Sequence, residues 1–287
     1  MNTTPTLATR FARNTHVIRS ETPLDDEQMR TAAPSIFAPS KHASRSARYT
    51  YIPTIEVLRG LKKEGFEPFM VAQGKSRIEG KTEYTKHLIR MRHVRDGSGQ
   101  ATTRPEANEI ILINSHDGAS SYQLLSGIFR YVCCNGLVVG TVSNDIRIAH
   151  KGNIQGEVIE GAFRVLDDFE AVDASTEGMK ALDLKPDEER AFATAALALR
   201  YGEQTDGQPP APITVDQLTE TRRFEDVGRS LWLSMNRIQS NMMQGGQPGR
   251  SSQGRRMHTR PIGSIDRTVS LNRALWVLAE EMRKIKS

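Results

Sequence analysis

Residues 41–51 combine cations with aromatic rings, a pairing suited to nucleic acid. The cations are Lys41, Arg45 and Arg48, and they precede the aromatic rings of Tyr49 and Tyr51. Cations bind phosphates, and a base stacked on an aromatic ring contributes ~1–3 kcal/mol without any reading of sequence. These five residues are therefore predicted to bind nucleic acid. The alternative is that the tyrosines are partly buried at a helix entry and the cations are solvated.

A second segment, residues 245–261, is rich in glycine and arginine. Its sequence GGQPGRSSQGRRMHTRP carries four cations with no carboxylate among them: Arg250, Arg255, Arg256 and Arg260. A flexible backbone lets guanidinium groups adapt to phosphates, which arginine binds through two parallel hydrogen bonds. The segment is predicted to be a nucleic-acid-binding loop. The alternative is a disordered connection that its charge keeps soluble.

A third group of cations falls on a predicted strand. Residues 83–95 alternate with a period of two, which is typical of β-structure. Lys86, Arg90 and Arg92 lie on one side of this strand, and His87 and His93 lie on the other. Two interpretations stay open: the cations line a nucleic-acid groove, or they form a solvated outer face.

Charge is also segregated along the whole chain. Residues 1–150 hold 20 Lys and Arg against 14 Asp and Glu, residues 151–212 hold 6 against 13, and residues 213–287 hold 13 against 7. Two basic segments therefore flank an acidic one. This arrangement is compatible with a polyanion-binding surface or with attraction between the segments.

Enzymatic chemistry has weaker candidates. His116 and Asp117 have the chemistry of a base and its orienting group, but such residues more often stabilise a tight turn. Cys133 or Cys134 could act as a nucleophile, but thiols beside apolar residues are more often small core residues, and we expect at least one to be buried. No catalytic residue is assigned, and the balance favours a protein without enzymatic activity.

The sequence carries no signal for a cofactor, a metal or a membrane. It has neither a Walker-type phosphate loop nor Gly-x-Gly-x-x-Gly after a strand, and its histidines lack ligand spacing. No run approaches the ~18 apolar residues of a membrane span, and the first residues lack a signal-peptide apolar region. Adjacent cysteines rarely pair with each other. We expect a cytoplasmic protein with no cofactor, no metal and no membrane partner.

Periodicity and turn residues predict the elements that hold these side chains. Residues 110–113 read as a buried strand, 116–118 as a turn, 122–125 as the returning strand, 128–134 as a strand or short helix, 135–136 as a chain reversal and 137–139 as a further strand. Earlier in the chain, Pro53 starts a helix near the capping hydroxyl of Thr54, and Gly65 ends it. Residues 66–72 form the next strand.

Helical periodicity takes over after residue 156, with Pro186 in the first turn of one helix. The predicted division is a flexible arm over residues 1–34, a sheet-rich core over 35–150, an acidic helical segment over 151–201, a linker over 202–212 and a helical region over 213–287. The predicted fold class is α+β. It comprises a small, mostly antiparallel sheet with a packed helix in the N-terminal half, and a helical C-terminal half.

Four motifs carry a resemblance that spans nearly the whole chain: KHxSRSxRYxYIPT (41–54), NSHDGxSSYQ (114–123), FRYVCCNG (129–136) and LNRALW (271–276). Together they resemble the YfjQ/YafZ group of uncharacterised proteins from prophages, plasmids and integrative elements. The resemblance implies a mobile-element gene and supplies no catalytic residue. Residues 41–71 are also similar to the opening of Erf-type single-strand annealing proteins, which implies that Lys41, Arg45, Arg48 and Tyr49 lie near the nucleic-acid path.

The leading prediction is a non-enzymatic, mobile-element DNA-binding protein that handles single-stranded DNA or supports recombination or transfer. Its mechanism is phosphate neutralisation with aromatic stacking. The alternative is a protein-binding regulator of element transcription or of a host defence factor, with residues 151–212 and the helical half as its surface. The expected partner is DNA, or a host or element protein in the alternative, and the sequence leaves a homo-oligomer open.

Overall fold

An antiparallel sheet organises residues 15–169. The computed structural model of the chain describes residues 15–44, 50–76, 78–94, 106–131, 135–140, 145–203 and 211–287. The strands lie in the order β1 (Thr15–Arg19), β2 (Phe66–Gly74), β3 (His87–His93), β4 (Glu106–Asn114), β5 (Tyr122–Arg130) and β6 (Asn135–Val138), and β7 (Ile146–Ile148) pairs with the first half of β5. From β1 to β6, strands that follow each other in the chain pair with each other. The strands predicted at residues 66–72, 110–113 and 122–125 are confirmed.

One face of the sheet packs on three helices, α1 (Asp26–Ala32), α2 (Thr54–Lys63) and α3 (Ile154–Asp167). Val71, Ile89 and Leu112 are cross-strand neighbours on this face. They belong to one buried apolar cluster with Leu58 of α2 and Val158 of α3. Burying this apolar face is the main stabilising contribution of the packing. The predicted sheet with a packed helix in the N-terminal half is confirmed.

The other face of the sheet is enclosed because the sheet curls. Arg19 on β1 and Phe129 on β5 are four strands apart, which in a flat sheet is roughly 19 Å. The Arg19 guanidinium carbon nevertheless lies 4.1 Å from the centre of the Phe129 ring. Phe69, Ile111 and Phe129 are fully buried. Both faces of the central strands are therefore shielded from water.

The flexible arm predicted over residues 1–34 is wrong for residues 15–34. Strand β1 pairs along its length with β2. Helix α1 begins with a reciprocal capping box between Asp25 and Gln28, and Met29 on this helix is fully buried. The Asp-x-x-Gln spacing is a helix-start signal that sequence reasoning missed. Residues 1–14 lie outside the described residues.

The predicted reversal at residues 135–136 is also wrong. Strand β5 continues to Arg130, which pairs with Asn135 at the start of β6. Gly136 is therefore a strand residue. A side-chain Cβ at Gly136 would lie 2.6 Å from the Arg90 guanidinium carbon, so this position needs glycine because of close packing. Cys133 and Cys134 lie outside the described residues, and their expected burial stays a prediction.

Helices build the second unit, Glu170–Ser287. They are α4 (Phe169–Ala181), α5 (Pro186–Tyr201), α6 (Val215–Thr219), α7 (Leu231–Gln244) and α8 (Ile265–Lys286). A hairpin of β8 (Pro248–Arg250) and β9 (Arg256–His258) lies between α7 and α8. Pro186 is the first residue of α5, as predicted, where its missing N–H costs nothing. The α+β class with a helical C-terminal half is confirmed.

The division between the units falls at Phe169 and not at residue 150. Helix α3 packs on the sheet through Val158, Ala162 and Val165, so the first part of the predicted acidic segment belongs to the sheet unit. Residues 204–210 of the predicted linker lie outside the described residues. Within the described part of the chain, no helix has the length and apolar character needed to cross a membrane.

Candidate nucleic-acid interface

Two of the predicted nucleic-acid-binding cations are buried around one carboxylate. Glu109 on β4 accepts from Arg90 Nη1 at 2.9 Å, from Arg92 Nη2 at 3.0 Å and from Arg19 Nη1 at 3.4 Å. None of these four side chains is more than 1% exposed. Arg92 also lies 4.2 Å from the centre of the Phe69 ring, a cation–π contact. The enclosed face of the sheet thus holds a guanidinium cluster.

The charges in this guanidinium cluster control the ionisation of Glu109. Burial alone would raise the pKa of Glu109, but the neighbouring charges of Arg19, Arg92 and Arg90 lower it to about 2. Both interpretations of the predicted cationic row, groove-lining or solvated, are wrong for Arg90 and Arg92. Their shared partner Glu109 lies 17 to 19 residues away in the sequence. Strand alternation therefore predicted that Arg90 and Arg92 share one side of the strand, but it did not reveal that this side is buried. Lys86 is half-buried just before β3.

A polar network surrounds Thr54, the first residue of α2. Its Oγ1 lies 2.9 Å from His87 Nε2, 3.2 Å from His116 Nε2 and 3.0 Å from Asn114 Nδ2. On the far side of the His87 ring, Nδ1 lies 2.9 Å from Ser35 Oγ. The predicted capping role of Thr54 is wrong, because no side chain caps α2 and this hydroxyl joins two strands to the helix.

The hydrogen-bond directions assign the tautomers of both histidines. Gln73 Nε2 donates to a carbonyl, so its Oε1 accepts from the Ser35 hydroxyl at 2.7 Å. Ser35 Oγ then accepts from His87 Nδ1–H, which leaves His87 Nε2 to accept from the Thr54 hydroxyl. The Thr54 oxygen in turn accepts from Asn114 and from His116 Nε2–H. A single ordered arrangement of protons thus runs through the network.

Burial keeps both histidines neutral. It lowers the pKa of His87 to about 3, with a further contribution from the nearby His116. It lowers the pKa of His116 to about 4, assisted by His150 and opposed by Asp117 and the Ser35 carbonyl. Thr54, His87 and His116 are completely shielded from solvent. No substrate reaches these groups in this structure, and the network fastens helix α2 to the sheet.

Asp117 does not orient His116 for catalysis. Its carboxylate accepts from the Ala119 N–H at 2.9 Å and pairs with Lys81 at 3.1 Å. Burial alone would raise the pKa of Asp117, but these two partners hold it below its ordinary value. Gly118 follows with φ of 79°, a left-handed conformation that suits glycine. The predicted turn at residues 116–118 is confirmed.

The structure describes only part of the cationic and aromatic group at residues 41–51. Lys41 is half-buried. The Tyr51 hydroxyl donates to the Ala38 carbonyl, and its ring meets His116 edge-on at 5.2 Å between centres. Burial raises the pKa of Tyr51 to about 12. This ring makes internal contacts, as the alternative for the tyrosines anticipated. Arg45, Arg48 and Tyr49 lie outside the described residues.

The arginine-rich segment forms an ordered hairpin rather than a loop. Strands β8 and β9 pair with Arg250 opposite Arg256, and Gly254 takes a φ of 73° at the turn. Arg250, Arg255, Arg256 and Arg260 are all exposed. Among the described residues, no carboxylate forms an ion pair with any of these four guanidiniums. The predicted flexible loop is therefore wrong in its conformation, while the exposure of its cations agrees with the prediction.

Hydrogen bonds fix the base of this basic hairpin. Gln217 Nε2 on α6 donates to the Pro248 carbonyl at 2.7 Å, and the Arg250 N–H donates to the Pro212 carbonyl at 3.0 Å. Gln247 Nε2 donates back to the Gln217 carbonyl at 3.0 Å. The arginines at its tip therefore project from a fixed base. The described residues contain no group of three His, Cys, Asp or Glu side chains arranged to hold a metal ion.

Comparison with known proteins identifies the family. Residues 41–276 match the family model described as a domain of unknown function, DUF932. The curated UPF0380 proteins YafZ and YfjQ of Escherichia coli strain K12 are each 46% identical to the chain over 276 residues, covering 96% of this chain and 97% of each relative. The chain belongs to the YfjQ/YafZ family. No solved structure matches it.

Two motifs that carry the likeness to the YfjQ/YafZ family meet around His116. The His42 N–H donates to the His116 carbonyl at 3.1 Å, and Tyr51 and Thr54 contact the His116 ring. The described parts of residues 41–54 are thus brought together with residues 114–123 by the buried network rather than at an open cleft. These motifs identify the fold of the YfjQ/YafZ family and point to no reactive group.

Sequence reasoning missed an exposed aromatic residue in the second unit. Phe224 is 88% exposed and Val227 is 62% exposed on one short turn. Arg237 on α7 holds this turn by donating to the Asp226 and Gly228 carbonyls. The dipeptide Arg222–Arg223 immediately before Phe224 was an available signal, because cations beside an aromatic residue are typical of nucleic-acid contacts.

Proposed function

We propose that this protein binds DNA through its basic hairpin, residues 248–258, together with Arg260. The observation that carries the proposal is the set of four exposed arginines that form no ion pair within the described part of the chain. Arg250 and Arg256 face each other across the two strands, and like charges in that position destabilise a hairpin. A bound phosphate backbone offsets that repulsion, because each guanidinium gains an anionic partner.

Phosphate neutralisation is the mechanism. Contacts to the backbone carry no sequence information, and release of counterions makes such binding strongly dependent on salt. A two-stranded ribbon is one of the elements that proteins place on DNA. Lys41, Lys86 and the motif residues Arg45, Arg48 and Tyr49 are further candidates for contact, while buried Arg90 and Arg92 are not. Handling of single-stranded DNA for a mobile element, in recombination or transfer, is the role we propose.

A salt-dependent titration tests this function. Fluorescence anisotropy with single- and double-stranded oligonucleotides is measured for the wild type and for a double variant, Arg255→Ala with Arg256→Ala. The slope of log K against log salt is negative. Losing two phosphate contacts makes it shallower by about 1.4 on single strands and by about 1.8 on duplex. Arg164→Ala is the control for loss of one exposed cation outside the basic hairpin, because Arg164 is 65% exposed and paired with Glu160.

Two results contradict the proposal. One is the absence of salt-dependent binding below tens of micromolar on either form of DNA. The other is an equal loss of affinity in the Arg164→Ala control, which would assign the effect to overall charge rather than to the basic hairpin.

Exposed Phe224 and Val227 favour a second candidate function, a protein-binding regulator. Aromatic residues such as phenylalanine are enriched at protein interfaces. A regulator of this class binds one stoichiometric host or element protein through this turn and does not bind DNA. Phe224→Ala then abolishes capture of that protein, whereas the Arg255→Ala and Arg256→Ala double variant retains it.

A further inference from the structure

A second group of cations lies where α5, α8 and the segment after the hairpin meet. Arg200 Nη2 donates to the Arg260 carbonyl at 2.6 Å, and Arg267 Nη2 donates to the Arg200 carbonyl at 3.0 Å. The Arg200 guanidinium carbon lies 4.9 Å from the centre of the Tyr201 ring. Neither Arg200 nor Arg267 forms an ion pair with a carboxylate among the described residues. The group therefore carries uncompensated positive charge.

Two polar atoms in this group are buried without a partner. Arg200 is 9% exposed, and its Nη1 makes no hydrogen bond. The Tyr201 hydroxyl is likewise shielded from water and makes no hydrogen bond. A buried polar group left unsatisfied costs about 1–3 kcal/mol, and more when it is charged. Such atoms in a native protein call for an explanation, and an ion is one of the standard ones.

The surrounding charges define the kind of ligand. Burial raises the pKa of the Tyr201 hydroxyl, while the nearby charges of Arg200 and Arg267 oppose that rise. The hydroxyl therefore stays protonated at neutral pH and is available as a donor. Guanidinium and phenol donors suit an oxyanion, which has several acceptor oxygens. Arg267 itself is exposed to solvent.

We propose that Arg200, Tyr201 and Arg267 form a binding site for one phosphate group. Arg200 Nη1 and the Tyr201 hydroxyl donate to its oxygens, and Arg267 supplies the second positive charge. The phosphate comes either from the backbone of a nucleic acid or from a free phosphate compound. The nucleic-acid source rests on the proposed function. It is supported by Arg260, which follows β9 and anchors Arg200 through its carbonyl.

Tyr201→Phe is the variant that tests this site, because it removes only a hydroxyl that has no protein partner. A purely structural hydroxyl of this kind predicts unchanged or higher thermal stability and no change in binding. A hydrogen bond to a charged ligand predicts about a tenfold or greater loss of affinity. The matched control is Tyr131→Phe, since the Tyr131 hydroxyl accepts from Arg92 at 2.9 Å in the sheet unit.

The full chain is titrated by calorimetry with inorganic phosphate and by anisotropy with a single-stranded oligonucleotide. Weaker phosphate binding in Tyr201→Phe supports a site for free phosphate. Weaker oligonucleotide binding in Tyr201→Phe, with no response to inorganic phosphate, supports a site for the nucleic-acid backbone. If Tyr201→Phe changes neither titration, the inference is overturned.

The double variant of the basic hairpin tests DNA binding independently of the phosphate site. If Tyr201→Phe has no effect while Arg255→Ala with Arg256→Ala weakens oligonucleotide binding, DNA binding stands and the phosphate site falls. If the wild type does not bind the oligonucleotide but Tyr201→Phe weakens binding of inorganic phosphate, DNA binding falls and the phosphate site stands. Arg267→Gln repeats the test at an exposed position, and a thermal melt of this variant measures the effect of losing its hydrogen bond to the Arg200 carbonyl.

Discussion

Glu109→Gln is the substitution that most directly tests the guanidinium cluster. The change keeps the size of the side chain but removes the charge that Arg19, Arg90 and Arg92 share. The pKa of Glu109 is about 2 in the folded protein and 4.5 in the unfolded chain. At ~1.36 kcal/mol per pKa unit, the ionised carboxylate adds about 3 kcal/mol to the free energy of unfolding at neutral pH. Breaking a buried ion pair from one side typically costs 3–5 kcal/mol. We therefore expect a loss of about 3–5 kcal/mol.

The pH dependence of Glu109→Gln follows from the sign of the pKa shift. Because folding lowers the pKa of Glu109, its contribution to stability is complete above pH 4.5 and is lost as the pH falls toward 2. In urea denaturation, the difference between wild type and Glu109→Gln should hold steady from pH 7 to 5. Below pH 4.5 it should shrink by about 1.4 kcal/mol per pH unit.

A matched control separates burial from charge. Glu67→Gln makes the same change on β2 of the same sheet, where Glu67 is 27% exposed and pairs with Lys62 at 3.5 Å. Partly exposed pairs of this kind are worth about 0–1 kcal/mol. A Glu109→Gln loss no larger than the Glu67→Gln loss at pH 7 would refute the account of the guanidinium cluster.

Three further predictions concern the sheet unit. Thr54→Val should cost about 2–3 kcal/mol in urea denaturation, because it leaves buried donors and acceptors on its neighbours unsatisfied; a loss below 1 kcal/mol would contradict the network. The free energy of unfolding of the wild type should fall as the pH drops below 6.5, by up to about 1.4 kcal/mol per pH unit for each of His87 and His116. The reason is that the low pKa values of these histidines keep them neutral in the folded protein, whereas the unfolded chain takes up protons. His116→Phe should flatten that fall, and an unchanged slope would count against the assignment. Gly136→Ala should lower the melting temperature by forcing Arg90 to move, whereas an unaltered value would show that the guanidinium shifts freely.

The strands could be predicted from sequence because their signals are local. The apolar run at residues 110–113 and the turn at His116 to Gly118 fall where the pattern placed them. Strand β1 could not be found this way, because five residues with weak alternation become a strand only by pairing with β2. Helix α1 had a local signal in Asp25 and Gln28, and the polar composition around it obscured that signal. Local chemistry predicted the elements, and pairing across the sheet decided the rest.

The candidate site was predictable in composition and not in conformation. The cations of residues 245–261 were evident, but pairing of Arg250 with Arg256 depends on the bonds that α6 makes to the base of the basic hairpin. The proposed phosphate site had no sequence signal, since Arg200 and Arg267 are 67 residues apart. Charged residues far apart in sequence show their partners only once the chain is folded.

Burial changes what the segregated charge of this chain means for function. Residues 1–150 and 213–287 have the same excess of Lys and Arg over Asp and Glu, 20 against 14 and 13 against 7. In the first segment, Arg19, Arg90 and Arg92 are buried around Glu109 inside the sheet, so their guanidiniums cannot contact a phosphate. In the second, Arg255 and Arg256 point to solvent with no acidic partner in the described chain. Direct neutralisation of phosphates requires cations that face solvent. The proposed DNA contact therefore lies on the basic hairpin within residues 213–287. Charge counts alone would have given the two segments equal parts in that contact.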